Sequence, residues 1–135
     1  MYLIDTDVTI CAMKGNAVVL SHLKRTATAP KALSVITYGE LYYGAMKSAR
    51  RQKNLARIRR ISQLFPVVEL SKAIMETFGS LKAETSPKGT SVDDFDLVVA
   101  ATALTLNYTL VTNNERHFRN IPGLAVENWS KVASE

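Results

Sequence analysis

At 135 residues and 47% hydrophobic, the chain is long enough to fill one core and too short for two. No apolar run approaches the roughly eighteen residues of a membrane span, and no basic segment leads into an apolar N-terminal stretch, so a soluble, cytoplasmic protein with neither signal peptide nor membrane attachment is expected. The net charge is +5, and the single cysteine, Cys11, sits among Ile10, Ala12 and Met13, which excludes an internal disulfide and reads as core.

Tyr2-Leu3-Ile4 is a short apolar run ending at Asp5 and reads as a buried strand. A helix is expected from Val8 to Met13, a turn at Lys14-Gly15-Asn16, and a second helix from Ala17 to Arg25. Ala32 to Val35, just after Pro30 and Lys31, forms the second strand. A third helix runs from Thr37 toward Lys47. A fourth, from Ala49 to Leu64, sets Leu55, Ile58, Ile61 and Phe65 on one side and a stripe of Lys53, Arg57 and Arg60 on the other. Pro66 stops it, and Val67 to Leu70 is the third strand. Helix returns from Ser71 to Glu84, and Thr85 to Thr90 is a loop by composition. The helix from Asp96 to Asn107 is nearly all apolar, with Ala100, Ala101 and Ala103 small enough to press closely on a sheet. Thr109 to Thr112 and Leu124 to Glu127 are the fourth and fifth strands, with Trp129 capping the end of the core. Strands alternating with helices predict an α/β fold: one domain over residues 1–135, with a central parallel sheet of four to five strands flanked by helices.

In such sheets the ligand crevice lies beyond the carboxyl ends of the strands. Asp5 stands at one of those ends, Asn113 and Asn114 directly follow the fourth strand, and Asp96 opens a helix leading away from the same edge. Asp93, Asp94 and Asp96 crowd together just before that helix. Acidic residues suit a first helical turn. Three of them repel, however, by roughly 3 kcal/mol per pair at about 5 Å and an effective dielectric of about 20, unless a cation or ordered water intervenes. Lys47, Arg50, Arg51, Lys53, Arg57, Arg59 and Arg60 form a basic stretch free of acids. An acidic hole in a basic surface suits a polyanion whose phosphates are drawn in and met by a metal, although a basic stretch is also what a solvated helix face looks like.

Each candidate has a dull explanation to set beside the chemical one. A buried carboxylate such as Asp5 must meet a cation or cap a helix, and Thr6 and Asp7 are better placed to cap. Thr37-Tyr38-Gly39-Glu40 spells a capping box, which taken alone explains Glu40 slightly better than catalysis does. Asp93 and Asp94 fit capping, whereas Asp96 fits it least. His22 and His117 have no nucleophile or second ligand at metal spacing and read as surface or rim residues. No glycine-rich phosphate loop and no Cys/His cluster occurs. Carboxylates alone make a hard oxygen site for Mg²⁺, with Mn²⁺ as a substitute, and phosphodiester hydrolysis follows from a metal that activates water and steadies the leaving oxygen.

The stretches "MYLIDTD", "SVITYGELYYGA", "DDFDLVVAATAL" and "LVTNNERHFRNIPGLAVENW" together resemble the PIN-domain ribonucleases, specifically the VapC toxins of type II toxin–antitoxin pairs. The resemblance spans nearly the whole chain, with the four motifs in register. It implies a Mg²⁺-dependent endoribonuclease in which Asp5, Glu40 and Asp96 hold the metal, so that Glu40 is more than a cap. It also implies an RNA substrate, tRNA among the candidates, a cognate VapB-like antitoxin that blocks the site, and a homodimer. Exposed apolar residues around Tyr38, Leu41, Tyr42 and Tyr43 are the expected antitoxin groove. Two departures stand out: the fourth acidic position falls at Asn114, with Glu115 beside it, and Asp7 and Asp93 stand where the family has other small residues.

Two rivals differ in class. "YLIDTDVT" also satisfies the DxDxT pattern of haloacid-dehalogenase-like phosphatases, with Asp5 as nucleophile and Asp7 as general acid. That family's last acidic motif follows an apolar strand, whereas Asp93 follows the polar run from Thr85 to Thr90. A non-catalytic RNA-binding or receiver-like module is the other. A receiver needs its acceptor aspartate after the third strand, where Leu70-Ser71 stands.

Overall fold

A computed structural model of the chain describes residues 1–86 and 92–131. Five strands, β1 (Tyr2–Ile4), β2 (Lys31–Ser34), β3 (Val67–Val68), β4 (Thr109–Val111) and β5 (Val126–Glu127), form one sheet in the order β3-β2-β1-β4-β5. All four pairings are parallel, with Leu3 opposite both Ala32 and Leu110. The helices are α1 (Thr6–Met13), α2 (Ala17–Arg25), α3 (Val35–Met46), α4 (Arg51–Leu64), α5 (Lys72–Thr85), α6 (Asp94–Leu106) and α7 (Glu115–Phe118). This is the α/β architecture with a five-stranded parallel sheet that the alternating pattern predicts.

The two-residue period of the strands divides the core in two. Leu3, Ala32 and Leu110 face one way, onto Ile74 and Leu81 of α5 and the apolar body of α6. Ile4, Leu33 and Val111 face the other way, onto Val8, Val19 and Trp129. Ala100, Ala101 and Ala103 are fully buried, so the small side chains of α6 do bring its backbone close to the sheet. A satellite cluster of Leu41, Ala45, Leu55 and Ile58 ties α3 to α4, which leaves the Lys53, Arg57 and Arg60 stripe in water. Trp129 is buried with its ring edge-on to Tyr2 and stacked on His22. Asn107 ends α6 in the left-handed conformation at φ 57°, which asparagine tolerates better than most residues.

Helix starts depart from expectation because capping residues sit further upstream. Asp5 itself caps α1, accepting from the Thr6 N–H at 2.9 Å, so that helix starts at Thr6 and not Val8. Ser34 caps α3 by accepting from Ile36 N–H at 3.1 Å. Thr37 and Glu40 therefore lie inside the helix, and no capping box forms there. Asp93 caps α6, accepting from Phe95 N–H at 3.2 Å. The third strand is shorter than expected and stops at Val68. The short helix α7 carries no apolar period long enough to be read. Of the expected loop from Thr85 to Thr90, Thr85 ends α5 and residues 87–90 lie outside the described residues. No described helix is long and apolar enough to cross a membrane.

Candidate active site

The chain winds from β1 through β2 to β3 on one side of the sheet and then crosses back over β1 to β4. The carboxyl ends of β1 and β4 thus flank the point where the winding reverses, which is where open α/β sheets leave a crevice. Asp5 leaves β1 there and Thr112 leaves β4, and the Thr112 hydroxyl donates to Asp5 Oδ2 at 2.9 Å. Asp5 is only 6% exposed, and its own backbone oxygen accepts from the buried Thr9 hydroxyl. Burial, then the charges of Asp7 and Asp96, push its carboxyl up to about 6, against the pull of the Thr6 N–H and the Thr112 hydroxyl.

Asp7, in the first turn of α1, belongs to the same rim. Its Oδ1 accepts from Val8 N–H at 2.8 Å and its Oδ2 from Asn113 N–H at 3.1 Å. Its pKa is also raised, chiefly by burial, with Asp96 adding to it. Asp96 faces the crevice from the first turn of α6, and His117 Nδ1 lies 3.0 Å from its Oδ2. Glu40 joins from α3: Thr6 Oγ1 donates to Glu40 Oε1 at 2.6 Å and lies 3.1 Å from the Thr37 hydroxyl. Asp5 and Glu40 are thereby linked through adjacent residues, Asp5 and Thr6.

The three crowded aspartates do not share one fate. Asp93 caps α6 and Asp94 pairs with Lys82 at 3.1 Å, both in solvent, while Asp96 alone turns toward Asp5. Their repulsion is relieved by divergence of the side chains. Asn114 is exposed on the rim, where its backbone N–H donates to Thr112 Oγ1 at 3.1 Å. Glu115 turns away: it pairs with Lys131 at 3.0 Å and accepts from Asn128 at 3.2 Å, and these bonds hold its carboxyl below the usual range. Asn113 contributes its backbone to Asp7, while its Oδ1 is buried without a hydrogen-bond partner. Leu41, expected in an exposed groove, is 5% exposed and packs against α4, whereas Tyr42 and Tyr43 stand in water.

Thr6, Thr112 and His117 are the site residues that sequence reasoning missed. A hydroxyl within two residues of the end of a strand, Thr6 after Ile4 and Thr112 after Val111, was a usable signal for the threonines. His117 had none, because its partner is far along the chain.

Among the described residues, no three acidic, histidine or cysteine side chains are gathered closely enough to hold a metal ion. Like charges spread apart and each acid takes a protein partner in this arrangement: Thr112, Asn113, His117 and Thr6. The donor chemistry nevertheless fits a hard divalent cation: the buried Asp5, just after β1, carries the unrelieved negative charges of Asp7 and Asp96 beside it, and Glu40 of α3 is tied to the neighbouring Thr6.

A family model described as "PIN domain" matches residues 2–124. Curated relatives include "Ribonuclease VapC2" of Rickettsia felis, 31% identical over 97% of this chain and 99% of that protein. Another is "Ribonuclease VapC2" of Haemophilus influenzae, 33% identical over 95% of this chain and 97% of that protein. "tRNA(fMet)-specific endonuclease VapC" of Salmonella typhimurium is 31% identical over 95% of this chain and 97% of its own. Among solved structures, VapBC2 of Rickettsia felis bound to a promoter DNA fragment superposes with a TM-score of 0.89 at 31% identity, over 95% of this chain and 98% of that one. The chain belongs to the PIN-domain family of nucleases, and within it to the VapC ribonucleases. The phosphatase reading of the DxDxT pattern falls with that membership. Asp7, its would-be general acid, lies in the first turn of α1 with its carboxylate held by two backbone N–H groups.

Proposed function

We propose that the chain, working as one domain over residues 1–135, is a Mg²⁺-dependent endoribonuclease toxin, with Mn²⁺ able to replace Mg²⁺. Its inhibitor is a cognate VapB-like antitoxin, it acts as a homodimer, and it works in the cytoplasm. The relatives named as ribonucleases and the VapBC complexes among similar structures support this reading, and the Salmonella relative's name makes tRNA the first substrate to try. The observation that carries it is the convergence of Asp5 and Asp96, from β1 and α6, on the crevice where the sheet winding reverses.

In this reading Asp5, Glu40 and Asp96 hold the metal, and Asn114 stands at the rim where the substrate strand passes. The bound ion supplies a water of lowered pKa and offsets charge on the phosphate oxygens. The protein's own part is positioning. Thr112 and the Thr6 N–H orient Asp5 from two sides, Thr6 ties Glu40 to the first turn of α1, and His117 fixes one oxygen of Asp96, leaving the other for the crevice. The basic stripe of α4 attracts the polyanion without reading its sequence.

The test is cleavage of tRNA by the purified protein with Mg²⁺, against EDTA and against Asp5→Ala and Asp96→Asn. Products that need the metal and both carboxylates support the nuclease. Metal-independent binding without products indicates a binding module instead.

A further inference from the structure

Beside the carboxylate rim lies a cavity of about 590 Å³ lined by Val35, Ile36, Gly39, Glu40, Tyr43 and Phe95, well within the range of ligand pockets. Two aromatic rings stand at it in water, Tyr43 65% and Phe95 55% exposed. Gly39 is the telling residue. It sits in the interior of α3, where glycine is among the least favourable choices. A Cβ built on it would meet nothing within 4 Å, so no neighbour requires its absence, and its backbone is not left-handed. What the missing side chain does is leave the cavity open.

The cavity is continuous with the candidate site: Glu40 is in its wall, and Phe95 directly precedes Asp96. Its charged lining residue is an acid, which repels a phosphate. Lys14 and Arg57 stand across Glu40, where with the neutral Asn54 they line a second cavity of about 320 Å³, and on the ring side Lys47 Nζ lies 5.1 Å from the Tyr43 ring centroid. A strand lying over Glu40 therefore meets Lys14 and Arg57 on one side and, on the other, the flat rings of Tyr43 and Phe95 with Lys47 beside Tyr43. That division of chemistry matches the two parts of a nucleotide, its anionic phosphate and its aromatic base.

The geometry points to the Gly39 cavity as a base subsite, in which an unpaired nucleobase of the substrate strand, flanking the cut phosphate, stacks on Tyr43 and Phe95. This rests on the ribonuclease reading and makes its substrate an unpaired stretch of RNA, since a paired base has no free face to offer.

The test uses the full chain and a 2′-O-methylated single-stranded hexanucleotide carrying 2-aminopurine at each position in turn, with binding followed by quenching of that fluorescence. Quenching is expected at one position. Tyr43→Ala and Phe95→Ala should each weaken the quenched complex about tenfold. Gly39→Leu, which fills the cavity and replaces a poor helix former with a good one, should do the same while melting no lower than the parent. Equal quenching and affinity in all three variants overturn the subsite. So does a parent dimer that turns monomeric in Tyr43→Ala or Phe95→Ala, since a second copy of the chain then covers the rings. Failure of the two readings is separable. If the parent cuts tRNA and the variants bind and cut alike, the subsite falls and the nuclease stands. If the hexanucleotide binds as described but the parent cuts no RNA with Mg²⁺ or Mn²⁺, the nuclease falls.

Discussion

Asp5 and Glu40 are the two halves of one candidate site, and they are held in opposite ways. Asp5 is buried at the end of the central strand, caps α1, accepts from Thr112 and lies within reach of two other carboxylates. Glu40 is exposed on the outer face of α3 and is held by one hydroxyl, that of Thr6. A buried charge weighs on both the fold and the reaction, whereas an exposed one weighs on the reaction alone. On the proposed reading, the carboxylate that matters most for chemistry is therefore also one the fold would be more stable without near pH 7.

The largest expected effect breaks that pairing of burdens in Asp5. Asp5→Asn keeps the helix cap and the shape while removing the charge. It should lower RNA cleavage about a thousandfold or more, as loss of several kcal/mol of metal-borne stabilisation implies. Its melting temperature near pH 7 should nonetheless equal or exceed the parent's. A variant that loses cleavage only because it melts well below the parent removes the contrast.

The next effect is the pH dependence behind it. The carboxyl of Asp5 sits at about 6 in the fold against 3.8 as its ordinary value. Raised in the folded state, it binds its proton more tightly there than in the unfolded chain. Its contribution is complete below about pH 4, falls as pH rises toward 6 and is flat above, a loss of about 3 kcal/mol. Denaturant titrations of the parent and Asp5→Asn between pH 3.5 and 8, compared at each pH, isolate this slope from other titrating groups, and Mn²⁺ should flatten it in the parent only. A difference that stays constant over that range removes burial as the cause.

Glu40→Gln tests the other half. Cleavage should fall about 10- to 100-fold, as for a weakened ligand set, with stability unchanged within about 0.5 kcal/mol. The smallest effect belongs to Asp7→Asn, whose side-chain oxygen can still accept from Asn113 N–H; cleavage should stay within about threefold of the parent. Loss of all turnover in that variant would hand Asp7 a proton-transfer role that the geometry does not support.

How much was legible follows from range. The strands were readable because their apolar runs are short and bounded, and α4 and α6 because their apolar content is periodic or continuous. Helix starts slipped by two residues where more than one nearby residue could cap, as at Asp5 against Thr6 and Asp7, or Ser34 against Thr37. The placing of Asp5 and Asp96 at one rim was legible from strand ends and helix starts. The parting of Asp93 and Asp94 from Asp96 was legible as capping against non-capping; the partners were not, because Lys82 for Asp94 and His117 for Asp96 stand on other helices.

Alternation of short apolar runs with helices was enough to determine a parallel sheet whose chemistry lies at its carboxyl edge, since burial on both faces and the handedness of crossovers leave few other solutions. Only the tertiary structure decided which donors serve which acids: Thr112 for Asp5 across 107 residues, Thr6 for Glu40 across 34 and His117 for Asp96 across 21. The physical reason is that periodicity and capping act over a turn or two. A hydrogen bond between distant residues exists only once the strand order has set their elements side by side.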